Sequence, residues 1–296
     1  MTKIIAASCC KLQQVSPQPI WAAIQAEQPD ALLLMGDNIY LDRDFHAHAG
    51  PLANELDELY RQQKAEPSFA GLLADMQARH KPVVAIYDDH DFIGKDRYGG
   101  GEDPALGLAA RQALINALPT LRTGTDVYGR LSVGPVEVIV LDERFYRRKA
   151  ADSRFDRDAV LGAAQWAWLE QTLAELAGAR FVLLVSSSTV HRFGALQSES
   201  WEDYHAAFQR LHGLLARRAG RLVVSGDIHE NDCYDDSGLV EFVTSGVARR
   251  GLLWGADRAN YGVFRFDADG LDFELRSNRV RDRLSGRVAL ANWRLP

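Results

Sequence analysis

Residues 29–40, Pro-Asp-Ala-Leu-Leu-Leu-Met-Gly-Asp-Asn-Ile-Tyr, constrain this chain more than any other stretch. Ala31–Met35 is an apolar run too short for a helix, opened by Pro29-Asp30 and closed by Gly36. A strand buried on both faces reads this way. Open α/β sheets bind ligands beyond the carboxyl ends of their strands, and Gly36-Asp37-Asn38-Ile39-Tyr40 falls in that place. The design recurs far downstream, where Arg221-Leu-Val-Val-Ser runs into Gly226-Asp227-Ile228-His229. Two buried strands that each end in Gly-Asp can bring two carboxylates to one crevice, the converging oxygen set that hard cations need.

The rest of the chain alternates strands and helices. Buried strands are predicted over residues 4–7, 31–35, 82–87, 181–185, 222–224 and 239–244. Residues 127–141 predict two antiparallel strands around Val133-Gly134-Pro135, and residues 261–276 predict two more joined at Asp269-Gly270. Helices are predicted over 19–27, 52–79 with a break near Pro67, 109–118, 165–176 and 201–218. Residues 94–105 hold four glycines and Pro104 and read as a loop. The arginine-rich run 276–287 reads as a solvated face. With no internal repeat, low-complexity tract or linker, the expectation is one α/β domain over residues 1–296 with a mixed sheet system.

Composition narrows the function. A chain of 296 residues with 47% hydrophobic and 25% charged residues can bury a large core. Its net charge of -6 argues against nucleic-acid binding as the main task, as does the lack of aromatic-basic interleaving. No stretch approaches the roughly 20 apolar residues of a membrane span. The opening Met1–Cys10 is too short for a secretion signal and reads as a first core strand. Three cysteines, Cys9, Cys10 and Cys233, give no disulfide framework and suit a reducing compartment, so a cytoplasmic protein is expected. Cys9 and Cys10 point to opposite sides of their strand, so at most one of them faces a given site; a pair of small buried thiols is the simpler reading.

Nearly every predicted strand ends in a group able to bind metal or phosphate. The series is Cys9, Asp37 with Tyr40, Asp88-Asp89-His90-Asp91, Asp142 with Arg144, His191, and Asp227 with His229. One Asp after a strand is an ordinary turn residue, whereas six such strand ends in succession define a site. Clustered carboxylates with a few imidazoles suit two metal ions about 3.5–4 Å apart that clamp a phosphate and activate a water. An inward thiolate and phenolate, from Cys9 and Tyr40, favour a trivalent or softer metal such as iron. Asp37 is the natural bridge between two cations. His90 is the candidate general acid, and Arg144 can reach the same mouth to hold phosphate. His229, which shares a strand end with Asp227, is a candidate ligand or proton donor. Plainer readings stand beside these: Tyr40 as a packing residue, His191 as a satisfied core histidine, and Trp201 as a packing anchor at a helix start.

The matching stretches resemble the alkaline phosphatase D-like (PhoD-like) branch of the metallophosphoesterase superfamily. They are Ala7-Ser8-Cys9, Pro29–Tyr40, Asp88-Asp89-His90-Asp91, Leu141-Asp142-Glu143-Arg144, Glu199-Ser200-Trp201 and Ser225–His229, in the family's order and across nearly the whole chain. The resemblance implies an α/β fold: a four-layer α/β/β/α sandwich of two mixed sheets with metals above the strand ends. It implies hydrolysis of small-molecule phosphodiesters or phosphomonoesters by a hydroxide activated on the metals. Carried over position by position, Cys9, Asp37 and Tyr40 hold Fe(3+), and Asp37, Asp89, Asp96 and Asp227 serve a second metal or Ca(2+) ions. Mn(2+), Mg(2+) and Zn(2+) are the other candidates. The chain departs from the common superfamily pattern where Asp88-Asp89-His90 replaces Gly-Asn-His and Asp227 replaces a histidine. Both changes add carboxylates, which moves preference toward calcium, magnesium or manganese. The Asn expected after the Asp-Asp-His-Asp run is replaced by Phe92-Ile-Gly-Lys-Asp96, one residue longer. The family's secreted members carry a leader and often an extra amino-terminal domain; this sequence reads as a trimmed version. The rival readings are a strict phosphomonoesterase or nucleotidase with a different metal pair and, from another class, a non-catalytic calcium- or phosphate-binding protein. Substrate choice falls to residues 43–51, 94–105 and 192–200, and oligomeric state has no signature in the sequence.

Overall fold

The computed structural model describes residues 1–41, 51–193, 199–216, 218–249 and 259–296. In chain order the first elements are β1 (Thr2–Ala7), α1 (Ile20–Ala26), β2 (Ala31–Met35), α2 (Leu52–Ala65), α3 (Pro67–Ala78) and β3 (Val83–Ile86). Next come α4 (Asp89–Phe92), α5 (Pro104–Ala117), β4 (Gly129–Val133), β5 (Val136–Val140), α6 (Ala150–Ser153), α7 (Gly162–Glu175) and β6 (Phe181–Val185). The chain then adds α8 (His205–Leu215), β7 (Arg221–Ser225), β8 (Asn231–Asp236), β9 (Leu239–Thr244), β10 (Asn260–Phe266), β11 (Gly270–Ser277) and β12 (Leu284–Ala289).

These strands form two mixed sheets, β12-β11-β10-β1-β2-β3 and β4-β5-β6-β7-β9-β8. In each, the strands that end at candidate site residues are parallel: β1, β2 and β3 in the first, β5, β6 and β7 in the second. Antiparallel strands form the flanks, as β10 against β1 and β8 against β9. Alternation along the strands sorts the side chains into layers. Ile4, Ala6, Leu33, Met35, Val84 and Ile86 pack between the sheets against Val138, Val140, Leu183, Val185, Leu222 and Val224. Their neighbours Ile5, Ala7, Leu32, Leu34 and Ala85 face the other way, onto Trp21, Leu56, Phe69, Leu72 and Leu114 of α1, α2, α3 and α5. Ile139, Val182, Leu184 and Val223 do the same beneath Trp166, Leu169, Leu211 and Leu215 of α7 and α8. The result is the expected α/β/β/α sandwich. Each fully buried aliphatic side chain in it contributes about 1.5–3 kcal/mol.

Three local expectations change. α5 begins at Pro104 rather than 109, because Asp103 caps it by accepting from the Ala105 N–H and proline suits the first helical position. The predicted helix from 201 opens as a 3₁₀ turn, Trp201–Asp203, closed by a reciprocal Ser200–Asp203 capping box, before α8 starts. The run read as a solvated face leads into β12, an edge strand whose one face is wet. β8, Asn-Asp-Cys-Tyr-Asp-Asp, is the other polar edge strand; charged residues suit an unpaired edge. No helix among the described residues is long and apolar enough to cross a membrane.

Candidate metal centre

The site is assembled from the first residues beyond β1, β2, β3 and β7, and their backbone is unusual. Cys9, Asp37, Asp96, Asp227 and His229 all have left-handed φ values, between +53° and +77°. They are five of the eight non-glycine residues in that region among the described residues. Each such residue costs about 1–3 kcal/mol, and strain of this kind gathers where side-chain placement matters. Gly36, at φ +92°, lies against the loop beyond β3 so closely that a Cβ would meet the Asp88 Cβ at 2.6 Å.

Asp91 ties these loops together. Fully buried, it accepts from the backbone N–H groups of Asp37 (3.1 Å), Asn38 (2.9 Å) and Asp88 (2.6 Å), and from Asn38 Nδ2 (2.6 Å). It therefore orients the β2 and β3 loops without offering a free oxygen to the site. Sequence reasoning passed over this role; the signal was a third aspartate at the N3 position after a capping Asp88.

Around this frame the donor atoms converge on Asp37. Cys9 Sγ lies 3.6 Å from Asp37 Oδ2, to which the Tyr40 hydroxyl donates at 2.7 Å. Tyr40 Oη is also 3.3 Å from His229 Nε2. On the other oxygen, the His90 N–H donates to Asp37 Oδ1 at 3.2 Å and to Asp89 Oδ1 at 2.8 Å. Two donor groups result, Cys9–Asp37–His229 and Asp37–Asp89–His90, each with ligand atoms within 4.8 Å of one another, and Asp37 belongs to both. Asp227 sits at the same mouth. Burial pushes its carboxyl up, and the charges of Asp88 and Asp89 push it further. Burial likewise raises the Asp37 carboxyl, the Cys9 thiol and the Tyr40 phenol, with Asp37 adding to the last two.

Such crowding of anions is costly unless a cation neutralises it. Asp88 makes the same point: Oδ1 is held by Arg144 Nε (2.6 Å) and the Ser187 hydroxyl (2.8 Å). Its Oδ2 is buried with no hydrogen-bond partner among the described residues. A centre of sulfur, phenol, imidazole and carboxylate donors on one side and harder carboxylates on the other fits a metal pair.

Other candidates lie outside the two groups. Arg144 is 1% exposed, its Nε on Asp88 and its Nη1 2.9 Å from Glu199. Glu199 also accepts from Arg147 (2.7 Å) and the Tyr204 hydroxyl (2.7 Å). Burial opposes its ionisation, but the charges of Arg147 and Arg144 overcome this and hold its carboxyl down at about 2. Asp96 donates its N–H to Asp89 Oδ2 at 2.5 Å, while its half-exposed carboxylate lies 4.0 Å from Lys95 Nζ. His191 is buried, its Nδ1 2.8 Å from Glu241 and its ring 4.1 Å from that of Tyr234. Trp201 is buried edge-on against Trp166. Residues 43–50 and 194–198 of the expected substrate loops lie outside the described residues.

Two cations at the mouth had no place in the sequence reading. Lys11 Nζ and the Arg249 guanidinium each lie 4.9 Å from the centroid of the Tyr40 ring. Lys11 follows the Cys9-Cys10 pair directly, the one hint the sequence offered.

Two sheets packed face to face with this donor set across their strand ends define the metallophosphoesterase class of fold. The chain is similar to the solved structure of PhoD, at 18% identity and a TM-score of 0.74 over 97% of this chain and 68% of that one. It is also similar to a dimetal phosphatase from Danio rerio, at 13% identity and TM-score 0.60 over 96% and 98% of the two chains. A purple acid phosphatase, PPD1, from yellow lupin (Lupinus luteus) matches at 12% identity and TM-score 0.61 over 96% and 53%. Residues 4–264 match the PhoD-like phosphatase family, and the chain belongs to it. A search of the curated proteins finds no match. The family and fold expected from the sequence are thus borne out.

Proposed function

We propose that this protein is a metal-dependent hydrolase of small phosphate esters, acting as one catalytic domain over residues 1–296. The observation that carries the reading is the Asp37 carboxylate, shared by two donor groups in one cleft. Cys9, Asp37 and Tyr40 would hold one metal, read as Fe(3+) from its soft and phenolic donors, with His229 beside it. Asp37, Asp89 and Asp227 would hold the second, read as Ca(2+) or another hard divalent ion. Asp96, whose N–H already donates to Asp89, would add its carboxylate on this side. When bound, the metals supply Lewis-acid charge for the phosphoryl oxygens and lower the pKa of the attacking water.

The chain's own groups do the rest. His90, whose ring lies 4.2 Å from that of Tyr40, donates a proton to the leaving oxygen as its bond to phosphorus breaks. His229 is the second proton donor within reach of the same centre. Arg144, fixed by Asp88 and Glu199, adds positive potential without a free fork for the substrate. Three free cysteines fit the reducing compartment expected of it.

The test is hydrolysis of p-nitrophenyl phosphate and bis-p-nitrophenyl phosphate by wild type and Asp37→Asn, with elemental analysis of both proteins. Metal-dependent cleavage lost together with bound metal in the variant supports the reading. A tyrosinate-to-iron charge-transfer colour identifies the Tyr40 side. Protein that takes up no metal on reconstitution refutes it, and metal-loaded protein inactive on both esters leaves the binding-protein reading in its place.

A further inference from the structure

We propose that Arg249, assisted by Lys11, is the group that grips the substrate's phosphoryl oxygens. The inference rests on the phosphoesterase reading above and assigns it a recognition element. Arg144 is poorly placed for this task, since it is almost wholly buried and two of its nitrogens are engaged by carboxylates. A guanidinium must keep donors open to bind phosphate bidentately.

Arg249 keeps them open. Its one side-chain polar contact among the described residues is Nη2 to His229 Nδ1 at 3.5 Å, the limit of hydrogen-bonding range. Its Nε is buried with no hydrogen-bond partner among the described residues. No carboxylate among the described residues pairs with it, although it sits at 4.9 Å from the ring whose hydroxyl touches Asp37. Lys11 lies at the same distance from that ring. The backbone builds this convergence: Lys11 N–H donates to the Ala248 carbonyl at 3.2 Å, Ala248 N–H donates to the Cys9 carbonyl at 3.3 Å, and Cys10 pairs with Ala248 as a parallel bridge. The two cations are therefore carried to the mouth by the same strand pairing that sets Cys9.

Electrostatics gives them a partner. The acidic side chains gathered at this mouth, Asp37, Asp89 and Asp227, make it a place that attracts cations. Bound metals cancel that charge, and a guanidinium beside them is then favoured only with an anion between. A phosphate ester supplies that anion. Two extra cations favour a phosphomonoester dianion over a diester monoanion, because the Coulomb term scales with substrate charge.

Metal-loaded wild type, Arg249→Met, Arg249→Lys and Lys11→Met are compared by elemental analysis, by calorimetric binding of inorganic phosphate, and by kcat and KM on the two nitrophenyl esters. In Arg249→Met, phosphate affinity falls roughly 10- to 100-fold and the monoester KM rises alike, at unchanged metal content. The diester KM moves less, Arg249→Lys recovers part of the loss, and Lys11→Met gives a smaller loss of the same kind. Phosphate affinity unchanged at full metal content overturns the proposal. So does metal content that falls in step with affinity, which makes Arg249 a counter-charge for the ligands. Wild type that binds phosphate through Arg249 but cleaves neither ester supports the grip while refuting the hydrolase. Wild type without metal-dependent phosphate binding refutes both.

Discussion

Replacing Glu199 by Gln removes the charge that sits between two buried arginines. In the native protein Glu199 Oε2 is 2.9 Å from Arg144 Nη1 and 2.7 Å from Arg147 Nη1, with its side chain 14% exposed. Glutamine keeps a hydrogen-bond acceptor but leaves the two guanidinium groups paired with Asp88 and Glu143 alone among their ion pairs between described residues. Breaking a buried pair from one side costs about 3–5 kcal/mol. An independent figure comes from linkage. The carboxyl is held at about 2 instead of an ordinary 4.5, a difference worth about 3 kcal/mol at neutral pH. The sign follows from the direction of that depression: the stabilisation is present in full above the unfolded value and is lost as pH falls toward the folded one. Urea unfolding of both proteins, followed by circular dichroism from pH 7 to pH 3, measures it. The gap between wild type and Glu199→Gln is about 3 kcal/mol at pH 7 and shrinks to about 1 kcal/mol at pH 3. A gap that stays flat across this range, or that is below about 1 kcal/mol at pH 7, refutes the reasoning.

Three further outcomes are expected. Gly36→Ala strains a +92° φ and drives a Cβ into Asp88, so it lowers stability by about 2–3 kcal/mol in chemical denaturation and reduces metal uptake. Asp91→Asn turns an amide donor toward backbone N–H donors, and metal affinity measured by competition with a chelator falls about 10- to 100-fold with Asp37 itself intact. Cys9 and Cys10 are buried with thiols raised by burial, while Cys233 is half-buried. Alkylation of the native protein read by mass spectrometry therefore marks Cys233 alone, and the other two react only after unfolding.

Much of this was legible in the sequence because the informative strands are parallel and buried on both faces. Continuous runs such as Ala31–Met35 and Phe181–Val185 have one structural reading at that length, and the polar residue that follows each run must sit at the sheet edge. What the sequence hid were features decided by tertiary pairing. β8 and β12 are edge strands whose polar residues suit water as well as a ladder, so their composition imitates a loop. Arg144 and Glu199 lie 55 residues apart in the chain and meet only when the sandwich closes, which turns an apparent phosphate contact into a buried ion network. His191 likewise finds Glu241 across 50 residues. Lys11 and Arg249 are brought to Tyr40 by a bridge between Cys10 and Ala248 that no periodicity announces.

The left-handed backbone at Cys9, Asp37, Asp227 and His229 bears on how this protein can change. At most positions such strain is relieved by glycine, and consensus or directed selection for heat tolerance finds that route readily. Here glycine would delete the very side chain that the strained backbone aims. Thermal adaptation of a close relative must then proceed through the helices and sheet flanks and leave these turns alone. Across variants selected only for stability, the four positions should stay fixed while their surroundings drift.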